Sequence, residues 1–276
     1  MKTIIAAVNF SPTSLNALNY AADMAAALKT RLLIIHIVEV AVSGINIPVT
    51  DIGLDELAHD AQVRVESLKT DLIERSNHKI EIGTEVRIGF LQSELVSVCH
   101  NIKPFILVIG SEQRTVTEVF FVGDGAIEAT QVLDCAVLTV PLGCTFKKIS
   151  RIGFACDLKN IYDLPINFLE NLIQSFNASL DIIHVSRNMH EELRGFVSAS
   201  LMKGNLKSLN PSVHFIINKN IEEGIKKFAW QNQEDLILVM HRKRSFFQSL
   251  FHKSESKSLE LSIHQPVLNI PNHSLD

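Results

Sequence analysis

Two stretches of this chain run through one order of elements, and that repetition constrains the fold more than any single motif does. Phe105 to Pro141 (FILVIGSEQRTVTEVFFVGDGAIEATQVLDCAVLTVP) reads as a buried strand, a polar loop marked by glycine, a helix and a final apolar strand. Asp235 to Pro271 (DLILVMHRKRSFFQSLFHKSESKSLELSIHQPVLNIP) repeats the order about 130 residues later. The rest of each half agrees. Thr3 to Val8 is a continuous apolar run ending in a turn, and Ile149 to Cys156 is the matching strand of the second half, followed by the turn 157–160. The runs RLLIIHIV (31–38) and LDIIHVS (180–186) follow after helical spacing, each with a histidine inside it. A lone histidine in such a run is more often a packed, hydrogen-bonded core residue than a ligand. Apolar runs without alternation mark strands buried on both faces, and a strand, helix, strand succession of this length implies parallel crossovers. The expected architecture is therefore α/β: two repeated open-sheet domains, residues 1–143 and 147–276, each with about five mainly parallel strands flanked by helices.

The helices follow from spacing. Leu15, Leu18, Ala22, Ala25 and Leu28 fall three or four residues apart, and the charged stretch 54–73 and the stretch 91–102 show the same period. Lys79 to Ile88 alternates apolar and polar residues, the pattern of a half-buried strand near a sheet edge. In the second half, helices are expected over 161–176, 189–209 and 221–230, with strands over 213–217 and 236–239.

Composition excludes several classes. Hydrophobic residues make up 46% and charged residues 20%, as in a globular protein. The net charge of −4 does not suggest a nucleic-acid partner. The balance is uneven: residues 1–146 hold 10 Lys+Arg against 17 Asp+Glu, and residues 147–276 hold 16 against 13. No apolar run reaches the roughly 18 residues that span a bilayer, so no membrane is expected and a cytoplasmic location is. Cys99, Cys135, Cys144 and Cys156 lack the C-x-x-C spacing of a metal or redox site, so neither a metal nor a disulfide is expected.

Strand-to-helix turns of this kind hold phosphates when glycine lets the backbone approach and the helix N-terminus supplies free N–H groups. In the first half Gly110 closes the strand and Gly123-Asp124 follow, with Arg114 between. In the second half Met240 and Lys253-Ser254 stand in those places. This pattern resembles the universal stress protein family, whose nucleotide-binding members carry Gly-x2-Gly-x9-Gly-Ser/Thr here. The resemblance covers nearly the whole chain as a tandem of two domains. It implies a Rossmann-like, adenine nucleotide alpha hydrolase-like fold. It also implies ATP or another adenine nucleotide as the candidate cofactor. Finally, it implies an internal pseudo-dimer in which the final strands, Cys135 to Val140 and Pro266 to Ile270, pair across a two-fold axis, with homodimerisation and a regulatory protein partner as further options.

On that resemblance the site candidates of the first half are Asn9, Phe10, Ser11, Val38, Gly110, Arg114, Gly123 and Asp124. Asn9 stands where nucleotide-binding relatives carry an Asp, Gln113 replaces the second glycine, and Asp124 replaces the hydroxyl residue. Glu112 and Asp124 would repel a triphosphate, and Gln113 adds a Cβ where backbone should meet ligand. In the second half Asp157 and Ser254 keep the family's types, while Arg242, Lys243, Arg244 and Lys253 surround the expected helix start as an anion site without glycines. No G-x-S-x-G, H-E-x-x-H, Walker-type or G-x-G-x-x-G motif occurs, so no catalytic residue is assigned. The leading expectation is a non-catalytic stress-response or regulatory binding protein with degenerate nucleotide loops. The alternatives are an adenine-nucleotide switch and, behind it, a nucleotide hydrolase or nucleotidyltransferase.

Overall fold

Every strand expected from a continuous apolar run forms in the computed structural model, which describes residues 2–40, 51–111, 133–156, 164–187, 206–240 and 265–271. The described residues fall into two compact units, 2–111 with 133–146 and 147–271. In the first unit β1 (Thr3–Ala7), α1 (Pro12–Leu28), β2 (Arg31–Glu39), α2 (Asp51–Arg75), β3 (Ile82–Gly89), α3 (Leu91–Ile102), β4 (Ile106–Ser111) and β5 (Val137–Pro141) follow in order. Its strand order is β3-β2-β1-β4-β5, with every neighbour parallel.

The second unit holds β6 (Arg151–Ala155), α4 (Ile166–Phe176), β7 (Ser179–Ser186), a 3-10 turn (Lys207–Leu209), β8 (Ser212–Ile217), α5 (Ile221–Gln231), β9 (Leu236–Met240) and β10 (Val267–Ile270). Its order, β8-β7-β6-β9-β10, is the same topology with the same parallel sense. In both units the direction of winding reverses beside the first strand, between β1 and β4 and between β6 and β9. A crevice at the carboxyl ends of the strands opens at such a reversal.

Local chemistry explains the helix limits. α1 starts at Pro12 rather than Leu15 because Ser11 caps it, its Oγ accepting from the Ser14 N–H at 3.2 Å, and because proline at the first turn costs no hydrogen bond. It ends at Lys29, whose left-handed backbone (φ 53°) returns its N–H to the Ala25 and Ala26 carbonyls. The buried side of α1 carries Ala17, Ala21, Ala22 and Ala25, small enough for the helix to lie close on the sheet. On α3, Leu91, Leu95, Val98 and Cys99 form one stripe against Ile5, Ala7, Leu33, Ile35, Leu107 and Val137. In the second unit Ile225, Phe228 and Ala229 of α5 cover Ala155, Ile183, Ile237 and Val239.

Other limits differ from expectation as well. The strand expected from Lys79 begins at Ile82, since Asn77 and His78 both take positive φ (51° and 58°) and use those residues to turn. The helix expected from Ile161 is observed from Ile166, where Pro165 is the N-cap, because a proline disfavours helical backbone in the residue before it. Of the long helix expected over 189–209, the described end is a 3-10 turn over Lys207–Leu209; most of that stretch, the helix expected after Gly110 and the turn 157–160 lie outside the described residues. None of the four cysteines is in a disulfide. No helix among the described residues is long and apolar enough to cross a membrane.

Candidate functional site

The crevice of the first unit is lined by the turn after β1, and that turn closes on itself. The Asn9 Oδ1 accepts from the Ser11 N–H at 3.1 Å, and the Asn9 N–H donates to the Ser14 Oγ at 3.3 Å. The Ser14 hydroxyl in turn donates to the Ser11 carbonyl at 3.0 Å, while the Ser11 Oγ caps α1. Polar atoms that could reach a nucleoside are thus engaged in holding the strand-to-helix corner.

Phe10, at the apex, has φ 63°, a left-handed conformation that costs a bulky residue on the order of 1–2 kcal/mol. The conformation lays its ring on two partners. The His36 ring lies 4.5 Å away centroid to centroid, tilted by 37°, and the Arg64 guanidinium of α2 sits 3.8 Å above the Phe10 ring. His36 Nδ1 lies 2.8 Å from the Val8 carbonyl, which fixes the proton on Nδ1 because a carbonyl can only accept. Burial holds the His36 imidazole below the usual histidine range, the Val8 carbonyl opposes that, and the Arg64 charge adds to it. A neutral ring beside a guanidinium is the consistent outcome. Val38, two residues further along β2 and so on the same face of the sheet, is buried and pairs in register with Ile88.

Gly110, at the end of β4, is required by packing. A Cβ built there would stand 2.6 Å from the Thr13 carbonyl oxygen, 2.7 Å from its carbon and 3.0 Å from the Ser14 nitrogen. All three are backbone atoms of the first turn of α1, so the missing side chain is what allows α1 to start against β4.

The structure therefore brings Asn9, Phe10, Ser11 and Gly110 around one corner and places Val38 beyond His36. Arg64 joins them without having been singled out from sequence, where it is one charge among many on the polar side of a long helix. Its only signal would have been its place next to Val65, which with Ala61 and Leu72 forms the buried stripe of α2. Arg114, Gly123 and Asp124 lie outside the described residues.

The second unit repeats the backbone frame. Cys156 donates its N–H to the Ile183 carbonyl at 3.1 Å as Val8 does to Ile35 at 2.9 Å. His184 Nδ1 lies 3.2 Å from the Cys156 carbonyl, again across 28 positions. Here the imidazole meets Phe215 edge-on at 5.9 Å. Strand register puts Met240 in the place of Gly110, buried at the end of β9. Asp157, Arg242, Lys243, Arg244, Lys253 and Ser254 lie outside the described residues. Among the described residues no cluster of His, Cys, Asp and Glu could hold a metal ion.

Doubly wound parallel sheets with this reversal, a capped helix starting at the carboxyl end of the first strand and a histidine tied to that end define an α/β protein of Rossmann-like architecture. Residues 1–141 match the model of the universal stress protein family, and the chain belongs to that family. A universal stress protein from Archaeoglobus fulgidus is similar over 98% of both chains, with 15% identity and a TM-score of 0.72. A functionally unknown protein from Pseudomonas aeruginosa covers 98% of this chain and 92% of its own, with 10% identity and a TM-score of 0.57. The cytoplasmic domain of a prokaryotic cation chloride cotransporter covers 98% and 95%, with 10% identity and a TM-score of 0.51. At these identities the likenesses establish the fold. No curated protein matches the chain.

Proposed function

We propose that this chain is a non-catalytic stress-response or regulatory binding protein whose first unit takes no nucleoside triphosphate and whose second unit carries the ligand-responsive loop. The observation that carries the reading is the self-closed corner of the first unit, with Phe10 held against His36 and Arg64 where the crevice opens. A ligand entering there must displace the ring and break the Asn9–Ser11–Ser14 hydrogen bonds. The carboxylates Glu112 and Asp124 disfavour a polyphosphate further. In the second unit Arg242, Lys243, Arg244 and Lys253 supply positive charge around Ser254 in sequence, with Asp157 as the nucleoside-side group of the family pattern. ATP or another adenine nucleotide is the candidate ligand of that unit. Pairing of the two units through their final strands, a cytoplasmic location and regulation through a protein partner are part of the same proposal, carried by family membership.

Titration of ATP into the full chain, with analysis of any nucleotide released on denaturation, tests the reading. Binding at low salt should occur at one site per chain, weaken as salt rises, and fall by roughly 1–3 kcal/mol in the Arg244→Ala, Lys253→Ala double variant. Binding that survives that variant but is lost on changing the first unit would place the ligand in the wrong half for this proposal. Turnover of labelled ATP would restore the enzymatic alternative.

A further inference from the structure

The amino end of the second unit's sheet, opposite the crevice, gathers charged groups under the cover of α5. Arg151 opens β6, Asp181 is the third residue of β7, His214 the third of β8, and Glu234 with Asp235 immediately precede β9. Because all these strands are parallel, the residues share one end of the sheet. Register places Gly153 beside Asp181 and Ile183 beside His214. Gly153 makes the room: a Cβ there would meet the Glu234 Cγ at 3.3 Å as well as the Ile183 and Ile237 methyls.

The hydrogen bonds leave one member out. Asp181 accepts from Arg151 Nη2 at 2.9 Å and lies 2.6 Å from His214 Nε2. Asp235 accepts the Ser150 and Arg151 N–H groups at 2.7 and 3.0 Å. The Glu234 side chain is completely enclosed, yet among the described residues neither carboxyl oxygen has a hydrogen-bond partner, and the cation beside it is the same Arg151 Nη2, 3.6 Å away. Its own N–H is tied to the Ala229 carbonyl at 2.9 Å, so the residue is the join between α5 and β9. Among the described residues the charged groups acting on Glu234 are Asp181 of β7, Arg151 of β6 and the adjacent Asp235, with none from α5. One guanidinium faces two enclosed carboxyl groups and can neutralise only one of them.

We propose that Glu234 is the proton-operated latch of the second unit: neutral, it stays enclosed and locks the α5–β9 corner; ionised, it is expelled beside Asp181 and the corner opens. The proton is exchanged with solvent. Burial, with Asp181 next in effect, raises the Glu234 carboxyl to about 7, so the change falls in the neutral range. The latch thus tightens on acidification and loosens as the medium turns alkaline, which makes it a proton sensor within a stress-response fold. His214 is the modulating partner, since its Nε2 shares the Asp181 carboxylate with Arg151, the same guanidinium that stands nearest Glu234.

Carboxyl-selective NMR of the full chain labelled at glutamate measures the Glu234 titration, and hydrogen exchange over residues 226–240, corrected for the intrinsic pH dependence, measures opening. A midpoint near neutrality with a roughly tenfold or greater loss of protection between about pH 6 and pH 8 is expected, and Glu234→Gln, which cannot ionise, should hold the low-pH protection throughout. The sole tryptophan, Trp230, sits on α5 at 68% exposure and reports the same transition by fluorescence. A Glu234 midpoint below about 5, or equal pH dependence of protection in the wild type and Glu234→Gln, overturns the proposal. His214→Gln should keep a transition; its complete loss there would assign the titrating group to His214 and also overturn it.

Discussion

Replacing Gly110 with alanine separates two explanations of that glycine. If it is there for a ligand, a methyl group costs binding and little else; if it is there for α1, the methyl costs stability with no ligand present. The added Cβ would stand 2.6 Å from the Thr13 oxygen and 2.7 Å from the Thr13 carbon, against about 3.4 Å or more for an ordinary contact. Neither atom can swing away, because both belong to backbone inside a capped first turn, and Thr13 and Ser14 are themselves enclosed. Relief requires α1 to move off β4 by several tenths of an ångström. Overpacking of this kind costs about 1–3 kcal/mol, and disturbing the Ser11 cap adds about 1 kcal/mol, so a total of about 2–4 kcal/mol is expected. Urea unfolding of the full chain, followed by far-ultraviolet circular dichroism, reads it. Trp230 fluorescence reports the second unit alone, so a first-unit transition that moves while the tryptophan transition does not would localise the damage. An unchanged midpoint would refute the packing account, and a stable variant that had lost ATP binding would return Gly110 to the ligand.

The remaining predictions concern the two corners described above. Glu234→Gln should stabilise the protein on the alkaline side: the folded pKa of about 7 lies above the ordinary carboxyl value, so the folded state holds more protons between the two, and stability falls as pH rises through that interval. A displacement from 4.5 to about 7 corresponds to about 3 kcal/mol, absent at about pH 4 and complete above about pH 8, and equal unfolding midpoints of the two proteins at pH 8 would contradict it. Ser11→Ala removes the cap of α1 and should cost about 1 kcal/mol in urea unfolding; no loss would mean that the Ser14 hydroxyl alone holds the turn. Phe10→Gly exchanges left-handed strain for lost ring contacts, so stability should change by less than about 1 kcal/mol. In that variant the His36 resonances should titrate at a higher pH than in the wild type, because its enclosure is what lowers the imidazole, and an unmoved titration would show that the Phe10 ring does not enclose it.

Those two corners differ in how far the sequence discloses them. RLLIIHIV reads as a buried strand because Leu32 to Ile35 are apolar without alternation, leaving neither face for water, and the histidines at 36 and 184 signal repeated frames because they recur at one place in two such runs. Limits set by backbone conformation are harder to see. Leu164, Phe168 and Leu172 continue a helical period straight across Pro165, and the period alone gives no reason to begin the helix at Ile166. Gly110 is visible as a glycine after a strand, but whether ligand or helix occupies the space of its missing side chain depends on where Thr13 lies. The Glu234 cluster is the extreme case. Asp181 and His214 are 33 positions apart and Arg151 and Asp181 are 30, and each alone is an ordinary charged residue near a strand end. Parallel register brings them to one edge, and the room left by Gly153 turns a surface type of residue into an enclosed one. One trace was present in advance: an aspartate inside the apolar run SLDIIHVS and a glutamate directly before DLILVM are carboxyl groups where the neighbouring strands of a buried sheet offer little water. A charge in that position must find a partner or a proton, and with a single arginine available to both, the second carboxyl group takes the proton.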